Sequence, residues 1–193
     1  MSNTGINLRG AICTGLLAVS VLAMAGCSSS EEPPPGQVCP RISVLGDADR
    51  LTKFVPGPGK DLTDVDYEVT IIDIRFGCEY TEDENDSPIL SVALAPVFEA
   101  NRGPANSDRQ AQFNYFVAIA DPQRTILNKQ DFNLPVNFPG NRSRVTVSPN
   151  DPPVSVDIPP VAGRAGPDYH IFVGLQLTPE ELEYNRRRRG AIQ

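Results

Sequence analysis

From residue 67 to residue 177, apolar side chains return at alternate positions, the period of a strand that buries one face. Residues 67–80 (YEVTIIDIRFGCEY) set Tyr67, Val69 and Ile71 on one face and Ile72, Ile74, Phe76 and Cys78 on the other, which reads as a two-faced strand. Residues 89–98 (ILSVALAPVF) form a second strand, and residues 112–120 (QFNYFVAIA) a third, with Phe113, Tyr115, Val117 and Ile119 in clean alternation. Weaker runs follow at 125–127, 132–136, 144–147 and 154–158, each bounded by Pro, Gly, Asn or Asp clusters that punctuate strands. Residues 169–177 (YHIFVGLQL) make the last core strand, with Tyr169, Ile171, Val173, Leu175 and Leu177 inward and His170, Gly174 and Gln176 outward. Short strands without intervening helices predict an all-β, immunoglobulin-like antiparallel β-sandwich. A true immunoglobulin domain is not indicated, because tryptophan is absent and Cys39 precedes the first clear strand.

One helix closes the pattern, predicted over about residues 178–189. Thr178 is the N-cap, Pro179 suits the first helical position, and Glu181 completes a capping box. Glu180 and Glu181 complement the positive N-terminal dipole, while Arg186, Arg187, Arg188 and Arg189 complement the negative C-terminal end ahead of Gly190.

The N-terminus has a different texture. Arg9 precedes residues 11–25 (AICTGLLAVSVLAMA), an uncharged run with the length of a signal-peptide core rather than of a membrane-spanning helix. It ends in Met24, Ala25, Gly26 and Cys27, a quartet that resembles the lipobox of bacterial lipoproteins, with Met24 where leucine is commonest. The resemblance covers only the start of the chain. It implies a signal peptide over residues 1–26, cleavage before Cys27, and lipid on that cysteine as a stable membrane anchor. Ser28 stands where enteric lipoproteins retained at the inner membrane carry aspartate, so the resemblance implies an outer-membrane protein facing the periplasm. Residues 28–37 (SSSEEPPPGQ) are too polar and proline-rich to order themselves, and with Cys27 they read as a tether reaching about 30 Å. Residues 38–193 are then one β-sandwich domain with its terminal helix.

Composition narrows the chemistry. The chain holds 19 prolines and 15 glycines in 193 residues, which favours turns over long helices. Its net charge is −7 and its one dense basic cluster is the terminal arginine run, so nucleic acid is not an expected partner. Of four cysteines, Cys13 leaves with the signal peptide and Cys27 takes lipid, so Cys39 and Cys78 are expected to form a structural disulfide in an oxidising compartment.

The candidate sites are sparse. Acidic residues 79–86 (EYTEDEND) carry oxygen ligands of the kind calcium prefers, with Asp47 and Asp49 as a further pair, but a solvated hairpin loop accounts for them and no metal is expected. Asp61, Asp64 and Asp66 lack the glycine and distal glutamate of an EF-hand and read as a turn leading into a strand. In VPGPGKD, residues 55–61, Lys60 is followed by aspartate rather than Ser or Thr, which excludes a phosphate loop. His170, the sole histidine, has no nucleophile motif near it in the sequence and reads as a structural strand residue. No cofactor is expected. The arginine run, Arg186 to Arg189, needs anionic company, from lipid phosphate, a cell-wall polymer, an acidic partner or the chain's own acidic loop. The expectation is a non-enzymatic envelope lipoprotein that binds an envelope protein through a sheet edge or the basic helix. A ligand-binding module for glycan or a small solute is the alternative, weakened by the lack of tryptophan.

Overall fold

The computed structural model describes residues 38–82, 84, 88–149, 152–158 and 166–190. The predicted signal peptide, Cys27 and the tether lie outside the described residues. Among the described residues, nine strands form two sheets that pack face to face, with one C-terminal α-helix, so the predicted all-β sandwich is borne out. The first sheet has the order β1 (Arg41–Val44), β9 (His170–Leu175), β5 (Gln110–Ala120), β6 (Ile126–Asn137). The second runs β2 (Arg50–Phe54), β3 (Val65–Glu82), β4 (Pro88–Arg102), β7 (Arg144–Val147), and β8 (Val154–Ile158) also pairs with β4. The helix, α1, is Pro179–Gly190.

One pairing departs from the antiparallel expectation. β1 lies parallel to β9, with Arg41 opposite His170 and Val44 opposite Val173. Neither β1 nor β2 was legible as a strand, because β1 has only four residues and β2 buries Leu51 and Thr52 in succession, which hides any alternation. Apart from Thr125, the runs at 125–127 and 132–136 belong to the single long strand β6, paired with β5 almost throughout.

The two-faced reading of residues 67–80 also changes. A β-bulge between Ile71 and Asp73 shifts the register against β4 by one residue, and one extra residue reverses which side chains face inward. Tyr67, Val69 and Ile71 are buried before the bulge; after it Ile74, Cys78 and Tyr80 pack against the same core. Apolar residues on both parities thus serve one face. Ile72, at the bulge, is 51% exposed.

The core fills the space between the sheets. Phe98 on β4 is fully buried and meets Phe113 and Tyr115 of β5, ring centroids 5.1 and 5.0 Å away. Tyr67 crosses the layer to donate its hydroxyl to the Gln112 carbonyl, and burial pushes its pKa up to about 12. Phe113, Tyr115, Val117, Ile119, Ile171, Val173 and Leu175 face inward as their alternation predicted. Gly174 points outward yet is buried, because the Phe116 ring lies across it where a Cβ would meet Cζ at 2.6 Å. The Cys39–Cys78 disulfide is formed, its Cα atoms 5.8 Å apart. It staples the chain entering the first sheet to β3 of the second, and closing a loop of that length stabilises the fold by about 4 kcal/mol in the chain-entropy model.

Candidate functional site

The sequence PEELEYNRRRRG is polar on every side of α1, so burial of an apolar stripe cannot be what holds it. Its start is capped as predicted: the Thr178 backbone nitrogen donates to Glu181 Oε2 at 2.8 Å, and the Glu181 nitrogen donates to Thr178 Oγ1 at 3.3 Å. Burial would raise the Glu181 carboxyl, but these Thr178 contacts and the Lys53 ammonium at 3.0 Å outweigh it and keep it below the usual range. Midway along the helix buried Asn185 donates to two backbone carbonyls, Asp47 at 3.1 Å and Arg50 at 2.6 Å, and so fixes α1 to the start of β2 and the turn ahead of it.

The arginine run does not stand free. Arg186 reaches Asp47 at 3.1 Å, and Arg187 reaches Glu183 at 3.6 Å, one turn earlier on the helix. Arg188 meets Glu68 at 3.0 Å, and Arg189 meets Asp49 at 2.7 Å while also donating to the Gly46 carbonyl. This anionic company is the chain's own, from Asp47, Asp49, Glu68 and Glu183. Arg186, Arg188 and Arg189 hold the helix to the sandwich, and Arg187 braces the helix itself. Asp47 and Asp49, once candidates for calcium, are the receivers.

Between α1 and β2 a cleft of about 190 Å³ remains, lined by Phe54, Lys60, Glu180 and Tyr184 among others. Tyr184 meets Phe54 edge-on at 5.3 Å, and Lys60 Nζ lies 5.1 Å from the centre of the Phe54 ring. Each cation here already has an anion, Lys53 with Glu181 and Lys60 with Glu180 at 3.5 Å.

The other candidates resolve individually. Asp61 accepts from the Thr63 hydroxyl and backbone nitrogen at 2.6 and 2.7 Å, contacts that lower its pKa, and Asp64 accepts from the Asp61 nitrogen at 3.2 Å. Asp66 receives Asn106 at 2.7 Å, so this trio organises a turn, as its sequence suggested. Glu79, Glu82 and Glu84 are exposed; Asp83 and Asp86 lie outside the described residues. Among the described residues, no three His, Cys, Asp or Glu side chains gather as a metal site. No helix among them is long and apolar enough to cross a membrane. His170 lies 2.7 Å from Ser43 Oγ, a neighbour 127 residues away that no sequence motif announces.

One backbone edge stays open. β2 pairs with β3 only as far as Thr70, and the Ile71 nitrogen donates to the Asp49 carbonyl; beyond the bulge β3 is paired on one side only, by β4, among the described residues. This stretch, residues 73–82, carries exposed Asp73, Arg75, Phe76 and Glu79, with Phe76 53% exposed.

No protein-family model matches the chain, and no curated protein matches it. Among solved structures, the variable (V) domain of the Streptococcus agalactiae AgI/II polypeptide BspA is 10% identical, with 71% of this chain and 78% of that chain covered at a TM-score of 0.17. That likeness is too slight to support any argument.

Proposed function

We propose that the chain is a bacterial lipoprotein, anchored through lipid on Cys27 to the outer membrane and facing the periplasm, whose sandwich binds another envelope protein without catalysing a reaction. The open edge of β3 carries the binding part of this reading. An edge strand with unpaired N–H and C=O groups is a template for strand addition, and this one is neither covered by another described element nor broken by proline. Asp73 and Glu79 flank it on the outer face, which favours an extended partner segment that is basic on the matching face. The Cys39–Cys78 disulfide supports export, since such bonds persist in oxidising compartments. The cleft beside α1, with Phe54 and Tyr184 exposed to it, favours the second reading, a small-solute module.

Two measurements test the proposal. Intact mass of protein extracted from membranes should show a triacyl-sized increment that Cys27→Ser removes together with membrane retention; an unlipidated wild type fractionating with membrane sinks the anchor. A photo-crosslinker at Phe76 should join the protein to one partner, protect the amides of residues 73–77 from exchange, and lose both effects on Asp73→Lys. Crosslinks that survive Asp73→Lys, with those amides still exchanging, put the interface elsewhere.

A further inference from the structure

The parallel pairing of β1 with β9 sets Arg41 beside His170 and Ser43 beside Phe172. Ile42 and Val44 pack into the core, so Arg41 and Ser43 stand on the outer face, where His170 and Phe172 also stand. Ser43 Oγ lies 2.7 Å from His170 Nε2, and the His170 ring stacks on Phe172 with centroids 4.1 Å apart. From the other flank of β9, β5 brings Ala120 opposite His170 and then turns sharply. In that turn Asp121 accepts the Thr125 nitrogen at 2.8 Å through its side chain and the Arg124 nitrogen at 2.9 Å through its carbonyl. Arg124 is thereby held at φ 65°, a left-handed conformation that is costly for a residue with a Cβ.

Burial, and then the charges of Arg41 and Arg124, keep His170 below the ordinary histidine range. Neither arginine side chain makes an ion pair or hydrogen bond among the described residues. Among the described residues, the other charged groups at this end are Asp121, engaged with Thr125, and Asp168 ahead of β9, and neither is without a partner. Two guanidiniums thus act on an imidazole that meets a hydroxyl, and the charge that would relieve them is negative.

We infer that Arg41, Arg124, His170 and Ser43 form a binding site for a phosphate oxyanion. Guanidiniums give charge-assisted, directional hydrogen bonds to such oxygens, and the hydroxyl adds a neutral donor. An arriving anion favours the protonated imidazole, so binding and protonation of His170 reinforce each other. The phosphate can be free or carried by a lipid headgroup. The headgroup source rests on the lipid-anchor reading, since Arg41 follows closely on Val38, where the tether meets the domain; the free source does not.

His170 is the only histidine, so its Cε1 proton gives one unambiguous resonance in the full chain held in neutral detergent. Inorganic phosphate is titrated in one arm, and phosphatidylglycerol in phosphatidylcholine bicelles in the other. The expected result is a saturable shift and a higher titration midpoint for His170, with affinity falling about tenfold for each of Arg41→Gln and Arg124→Gln. Arg75→Gln, at an exposed arginine on β3, should leave affinity unchanged. A response to inorganic phosphate alone supports the site and assigns it to free phosphate even if the anchor reading fails; a response to phosphatidylglycerol but not to phosphatidylcholine assigns it to headgroups. A resonance unmoved by both ligands, or a shift that survives in the double variant or falls equally with Arg75→Gln, overturns the inference.

Discussion

The molecule has two arginine clusters, and they have opposite fates. Arg186 to Arg189 are adjacent in sequence and conspicuous, yet they are consumed inside the fold by Asp47, Asp49, Glu68 and Glu183. Arg41 and Arg124 are far apart in sequence and unremarkable there, yet β1 and the turn after β5 bring both to act on His170, and neither has an acidic partner among the described residues. Density of charge along a chain therefore says little about where charge is available. A run of like charges at a helix end costs repulsion unless anions are built to meet it, and a folded chain with suitably placed carboxylates meets it itself.

The largest effect that would break this contrast comes from the disulfide. Replacing Cys39 and Cys78 by serine should cost about 4 kcal/mol, read from the urea midpoint. Because Cys39 lies just ahead of β1, hydrogen exchange should accelerate in Arg41–Val44 while α1 keeps its protection. Equal loss in both places would mean that the two clusters share one cooperative support.

A smaller effect isolates the helix cluster. Asn185→Ala leaves the Asp47 and Arg50 carbonyls without their donor and should destabilise by about 2 kcal/mol, with α1 exchanging faster and the His170 titration unmoved. An altered His170 midpoint in that variant would show that the clusters are coupled.

The smallest effect is in the pH dependence. Held below its ordinary value, His170 binds fewer protons in the folded chain than in the unfolded one. Its contribution to stability is therefore complete above the unfolded midpoint near 6.5, and is lost as pH falls from there through the folded midpoint. Arg41→Gln removes one of the depressing charges, so it should flatten the slope of stability as pH falls from the unfolded midpoint near 6.5 toward the folded one. A steeper slope would contradict the assignment of Arg41 as a neighbour of the ring.

Much of the sandwich was legible because burial of one sheet face writes a period of two into the chain. Phe113 to Ile119 and Ile171 to Leu175 carried that signal cleanly, and the capping box of Thr178 and Glu181 announced α1 through local chemistry. The disulfide followed from cysteine bookkeeping. What escaped was β1, too short to show a period, and the bulge at Ile72, whose one-residue shift makes a single-faced strand look two-faced. The oxyanion-type cluster escaped for a different reason: Ser43 and His170 are 127 residues apart and no spacing rule connects them.

The sequence by itself determined the class of fold, the covalent staple and the single capped helix, because each rests on periodicity or on residues that act within a few positions of one another. Only the tertiary structure decided which charges are spent and which remain, and which strand edge is left open. Those outcomes depend on register and on parallel or antiparallel pairing between distant segments, and pairing is a property of the assembled sheets that no local pattern encodes.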